Sequence, residues 1–166
     1  MGDLDVSISE SAVAVSILRL RPLEADLEAA LGEALRLTWP SAPNTIAGDD
    51  THVAWLAPGE WAIFSPADQI AASIEAACQG TLHHLQDASS SYRRWTIAGA
   101  GARALIAKGC SLDLHPSVFA PGRCAQTLLA QIPFLILRLP DDPDIRVLAD
   151  SSLAHYFRSW LADAAT

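Results

Sequence analysis

The sequence predicts an α+β fold in which two βαββα-like halves, about residues 12–80 and 92–164, share a mixed or antiparallel sheet with helices packed on its faces. Three observations predict it. β-branched apolar runs read as strands, leucines recurring every fourth residue read as an amphipathic helix, and the order strand, helix, linker, hairpin, capped helix occurs from Ala12 to Cys78 and again from Tyr92 to Ala164. Residue identity between the two passes is negligible, so the echo is one of element type and not a sequence repeat. A length of 166 residues fits one domain, 1–166, large enough to bury a sizeable core.

Taken in order, Ala12 to Leu20 (AVAVSILRL) is apolar and β-branched and stops at Arg21-Pro22, which makes it a strand. Pro22 suits the first turn of a helix whose stripe is Leu23, Leu27, Leu31 and Leu35. Thr38 to Thr51 holds two prolines, a glycine, an asparagine and two aspartates and reads as a loop. His52–Ala57 and Trp61–Ser65 flank Pro58-Gly59-Glu60, a tight hairpin in which Gly59 supplies a positive φ. Ser65-Pro66-Ala67-Asp68 reads as a side-chain cap, a proline in the first turn and an acid after it, opening a helix through Cys78 that Gly80 ends.

Thr81–Ala88 and Tyr92–Ala98 are strand-like, and alternation sets Arg93 and Arg94 on opposite faces of the second. Gly99–Lys108 reads as a short helix, with Lys108 favouring its negative end and Gly109 as a left-handed cap. Phe134–Leu139 and Ile145–Ala149 flank PDDPD, a second hairpin. Asp150-Ser151 then caps a final helix striped by Leu153, Tyr156, Phe157, Trp160, Leu161 and Ala164.

Composition excludes several classes of function. A net charge of −8, with eleven basic residues scattered and only Arg93-Arg94 adjacent, is the wrong surface for a nucleic-acid backbone. No apolar run approaches the roughly 18 residues of a membrane span, and the acidic N-terminus lacks a basic leader, so no membrane partner and a cytoplasmic location are expected. Three cysteines, Cys78, Cys110 and Cys124, are too few and too odd for a disulfide framework. Apolar residues reach 51% with five tryptophans, at a mean hydropathy of +0.22. That apolar excess points to a chain covered by a partner, one that self-associates when isolated.

Chemistry-bearing residues concentrate in Lys108–Leu129, KGCSLDLHPSVFAPGRCAQTLL. Cys110, His115 and Cys124 are spaced C-x4-H-x8-C, without the close pairs of structural zinc and with a fourth ligand only if His83 or His84 is recruited. Ser111, Asp113 and His115 share a face of an extended segment, but alternate residues lie about 6.5–7 Å apart along a strand, beyond a relay's reach. Asp113 and His115-Pro116 are more economically turn formers. Gly99-Ala100-Gly101 lacks the third glycine of a phosphate loop. Trp55 and Trp61 read as a packed cross-strand pair. No catalytic, cofactor-binding or metal-binding residue is assigned, and Lys108, Asp113, His115, Arg123 and Gln126 are expected to present polar groups to a neighbouring subunit.

The segment KGCSLDLHP..F..G.CAQT, with WL.P.EW at Trp55–Trp61 and HYFRSWLADA in the last helix, resembles the gamma subunit of heterotetrameric sarcosine oxidase from about residue 50 onward. The resemblance implies a fold related to the tetrahydrofolate-binding domain of the glycine cleavage system aminomethyltransferase. It also implies an accessory, noncatalytic subunit of an oxidoreductase complex acting on the CH–NH group of sarcosine. Its partners would be the alpha and beta flavoprotein subunits, which would hold FAD, FMN, NAD and tetrahydrofolate, while this chain alone binds none. The alternative is a stand-alone tetrahydrofolate-binding module, for which Asp87 and Glu60 are the carboxylates available to a pterin.

Overall fold

The structure, a computed structural model, describes residues 4–21 and 23–166; the expected helix-opening Pro22 lies outside them. In chain order they form β1 (Ser7–Ser11), β2 (Ser16–Leu20), α1 (Ala25–Leu35), β3 (Ile46–Ala47), β4 (His52–Ala57), β5 (Glu60–Phe64) and α2 (Ala67–Ala77). There follow β6 (His83–Asp87), β7 (Tyr92–Ala98), α3 (Ala102–Ala107), β8 (Arg123–Leu129), β9 (Ile132–Arg138), β10 (Ile145–Asp150) and α4 (Ala154–Ala165). The α+β class is as expected, but the one sheet that the halves were expected to share is two five-stranded sheets, one in each half, with every strand pair antiparallel, because the strands of each half pair only among themselves.

One compact unit is Ala14–Ser89, with strand order β3-β4-β5-β2-β6. Alternation along β2 sends Leu18 and Leu20 to the face on which Val53, Trp61 and Ile63 also lie, and there they meet Leu27 and Leu31 of α1 and Ile70 and Ile74 of α2. The leucine stripe therefore does what its period predicts. The β4–β5 hairpin turns at Gly59, whose φ of 78° and whose place 2.6 Å from the Leu20 carbonyl, measured from a Cβ built there, both exclude a side chain.

The other unit joins the residues up to Val13 with Ser90–Thr166, in strand order β1-β7-β10-β9-β8. Trp95, Ile97, Val147, Phe134 and Ile136 share the face covered by Leu105 and Ile106 of α3 and Phe157 and Leu161 of α4. Phe157 is wholly buried, edge-on to Trp95 at 4.7 Å between ring centroids and stacked on Trp160 at 6.1 Å.

Local departures from the sequence reading have identifiable causes. The strand read from Ala12 starts at Ser16, and the polar run SISES before it is itself a strand, β1, pairing with β7. The loop after α1 contains the two-residue β3, held by Ile46↔Ala54 and Ala47↔Val53. Ser65 does not cap α2: Pro66, at ψ 130°, occupies the flanking position and has no side-chain acceptor to offer. Gly109 is not left-handed, since it is absent from the residues of positive φ. It is glycine because a Cβ there would stand 2.5 Å from the Trp160 ring and 3.1 Å from the Ala130 nitrogen. Lys108 serves a different helix end from the one expected, its Nζ donating to the Ala164 carbonyl of α4 at 2.5 Å.

Candidate functional site

The segment from Lys108 to Leu129 leaves α3, crosses a loop and becomes β8, the last strand in its sheet's order. Its buried residues, Cys110, Leu114, Phe119, Cys124 and Leu129, tie it to the unit, while Ser111, Asp113, His115–Val118 and Gln126 are exposed. Hydrogen bonds within the segment fix its path. The His115 amide donates to Asp113 Oδ1 at 2.8 Å, the Val118 and Phe119 amides donate to the His115 carbonyl at 2.9 and 2.8 Å, and the Gly109 carbonyl accepts from Ala130 at 3.0 Å. Asp113 and His115 are thus turn formers, as their backbone-bonding capacity suggests.

This geometry separates the groups that a relay would need. The His115 Nδ1 is engaged by Ser117, whose amide donates to it at 3.3 Å and whose Oγ lies 2.7 Å away, while the Asp113 carboxylate is spent on the backbone. Cys110 receives the Leu112 amide on its sulfur at 3.4 Å. Burial pushes the Cys124 thiol up to about 12, only partly offset by the Arg123 charge, so it stays protonated near neutrality. Among the described residues, no three His, Cys, Asp or Glu side chains converge as metal ligands.

Three other constellations resolve into packing. Gly99 and Gly101 let the N-terminal segment pass close by: a Cβ on Gly99 would lie 2.4 Å from the Asp5 carbonyl, and the Gly101 amide donates to that same oxygen at 3.0 Å. Trp61 is cross-strand from Trp55, packs at 5.4 Å on Trp39 and donates its Nε1–H to the Pro40 carbonyl at 2.9 Å. Neither pterin carboxylate is buried. Asp87 is exposed and held below the usual carboxylate range by the Ser89 hydroxyl and amide, and Glu60 pairs with Arg19 at 3.0 Å.

Along β8 the side chains alternate. Arg123, Ala125, Thr127 and Leu129 stand opposite Arg138, Ile136, Phe134 and Ile132 on the helix-covered face, while Cys124, Gln126 and Leu128 take the other. Arg123 therefore lies beside Arg138, a residue that the sequence reading did not single out. Arg138 is 6% exposed, and burial, followed by the Arg103 charge, lowers its pKa against the opposing Asp142. The signal was present in the sequence as an arginine at the same strand parity as Phe134 and Ile136. Large apolar side chains exposed in this unit are Val118 at 56%, Leu128 at 55% and Tyr156 at 49%, the last donating its hydroxyl to the Ala130 carbonyl at 3.0 Å, while the other unit exposes Leu82 at 86%.

Compared with known proteins, residues 22–166 match the model of the sarcosine oxidase, gamma subunit family. The chain is 31% identical over 139 residues to the sarcosine oxidase subunit gamma of Corynebacterium sp. (strain P-1), an alignment covering 82% of this chain and 68% of that one. It is 32% identical over 141 residues to the subunit gamma from an Arthrobacter species, covering 83% and 69%. In three dimensions it is similar to a chain of the heterotetrameric sarcosine oxidase from Corynebacterium sp. U-96, solved in complex with pyrrole 2-carboxylate. That match has a TM-score of 0.87 at 27% identity over 99% of this chain and 86% of that chain. Aminomethyltransferase T of the glycine cleavage system from Bartonella henselae shares the fold, with a TM-score of 0.66 at 12% identity over 96% of this chain and 46% of the enzyme.

Proposed function

Because the chain belongs to the sarcosine oxidase gamma subunit family, we propose that it is the accessory, noncatalytic subunit of a heterotetrameric enzyme that oxidatively demethylates sarcosine. Its partners are alpha and beta flavoprotein subunits, which hold FAD, FMN, NAD and tetrahydrofolate and pass the methylene group to the folate. The carrying observation is the likeness over 99% of this chain to one subunit of such a heterotetramer. The assembly works in the cytoplasm.

The contact reading follows from the segment's chemistry. Hydrogen bonds of Asp113 and His115 within the segment, and of Lys108 to α4, hold it in one shape, so it docks without first being ordered. Arg123 and Gln126 project from β8 on its two faces, and Val118 and Leu128 supply the apolar surface. The folate-module alternative loses support from this fold, since both of its carboxylates are exposed or ion-paired. Co-expression with the two flavoprotein subunits is the test. The chain is expected to co-purify in a yellow complex, and a Val118→Asp/Leu128→Asp double variant, folded by circular dichroism, to lower its recovery at least tenfold. Absence of co-purification, together with saturable folate binding by the lone chain, would overturn the proposal.

A further inference from the structure

Buried arginine is tolerated when its five donors and its charge are met, because the guanidinium does not escape by losing its proton. Arg138 falls short of this: it is 6% exposed and its Nε has no hydrogen-bond partner. Arg103, half-buried on α3, also has a buried Nε without a partner. Arg123 stands directly across the β8–β9 ladder from Arg138. The carboxylate whose charge favours Arg138, Asp142, gives its Oδ2 to Arg146 at 2.5 Å. At the end of β9, Arg138 thus has Arg123 across the ladder and feels the Arg103 charge, while the acid that favours it is paired with Arg146.

The strand holds Arg138 in place, since its own carbonyl accepts from the Gly122 amide at 2.7 Å and β9 lies between two paired neighbours. Arg123 and Arg103 are half-buried, which leaves an approach from solvent. A planar fork of donors in a low-dielectric setting matches a carboxylate or phosphate, and the charge-assisted bonds that such a group would accept are the strong ones. We infer that Arg138, with Arg103 and Arg123, forms an oxyanion site for a carboxylate or phosphate that comes from outside the described residues. Two sources share this chemistry: a small free anion, and a carboxylate of a neighbouring subunit, the second resting on the assembly proposed above.

The test uses inorganic phosphate on the full chain. Its melting temperature should rise saturably, by about 5 °C at saturation, over sodium chloride of equal ionic strength. Arg138→Met, which keeps the apolar stem and removes the charge, should melt at or above the wild-type temperature without phosphate and show no response to it. Arg103→Gln, at a half-buried position, should weaken phosphate binding by about tenfold, the loss expected of one charge-assisted bond. A flat wild-type response, or a response that Arg138→Met retains, overturns the inference.

Source is read in the co-expressed complex. Phosphate that releases the wild-type chain but not Arg138→Met assigns the oxyanion to a partner carboxylate, and phosphate that leaves assembly intact assigns it to a free anion. A chain that assembles but ignores phosphate removes the site and keeps the assembly; one that binds phosphate but does not assemble does the reverse.

Discussion

The two units have nearly the same parts, and they differ in how their polar groups are settled. In Ala14–Ser89 the buried side-chain atoms without partners, Ser16 Oγ and Trp39 Nε1, are neutral. Its cations at the sheet have acids: Arg19 has Glu60 at 3.0 Å and His83 has Glu75 at 2.9 Å. In the unit containing β7–β10 the corresponding atoms are mostly on cations, the Nε of Arg103, Arg138 and Arg146; Arg146 still has Asp142 and Arg158 has Glu10 at 2.8 Å, so the contrast rests on Arg138, buried with its Nε unmet. A neutral donor left dry is a modest penalty, whereas an unpaired buried charge is a large one. The difference teaches that the two halves pair their more exposed cations alike and part company at one buried guanidinium, Arg138.

The sharpest way to break this comparison is through the cores, which should be equally indispensable despite the electrostatic contrast. Phe157→Ala removes a fully buried ring held against Trp95 and Trp160 and should cost about 3–5 kcal/mol by denaturant unfolding. In the other unit, Trp61→Phe keeps most of the bulk but strands the Pro40 carbonyl and should cost about 1–3 kcal/mol. A Phe157→Ala loss below that of Trp61→Phe would mean that the β7–β10 unit draws little of its stability from its own core.

A smaller effect separates two reasons for glycine. Gly109→Ala drives a methyl into the Trp160 ring at 2.5 Å and should cost about 1–3 kcal/mol, largely restored by Trp160→Leu. Gly80, with φ 83° and nothing within 4 Å of a built Cβ, should lose about 1 kcal/mol on change to alanine, from backbone strain alone. Failure of Trp160→Leu to rescue Gly109→Ala would return Gly109 to a backbone role.

Gly109 also shows where the sequence stops being readable. A glycine after a helix signals either a left-handed cap or a close approach, and only the arrival of Trp160 from 51 positions later decides between them. Legibility follows whether the cause is local. The Gly59 hairpin, the stripes of α1 and α4 and the facing of β7 were readable because period and turn chemistry lie within a few residues. The β8–β9 hairpin turns at Ala130 and Gln131, φ 52° and 68°, a pair with no turn signature, and β1 is too polar to announce a strand. The same holds for the site: Asp113 and His115 were legible as turn formers, while the Arg103–Arg138 encounter depends on a helix and a strand 35 positions apart.

The mildest probe tests whether the Ala14–Ser89 unit is as settled as its hydrogen bonds suggest. His83 is held above its usual pKa of 6.5 first by its bond to the Thr81 carbonyl, 2.9 Å from Nδ1, with burial opposing and Glu75 adding to the rise. Because Nδ1 must donate to a carbonyl and Nε2 to a carboxylate, only the imidazolium satisfies both. A raised folded-state pKa gives stability that is fully present below about pH 6.5 and lost as pH climbs through the raised value. Glu75→Gln should therefore lower the His83 titration midpoint only partway in an NMR titration, since Thr81 remains, and should destabilise the chain at pH 5.5 more than at pH 8.5. Equal destabilisation at both would show that the Glu75 side chain acts there through packing, and the likeness in pairing between the units would lose one of its supporting pairs.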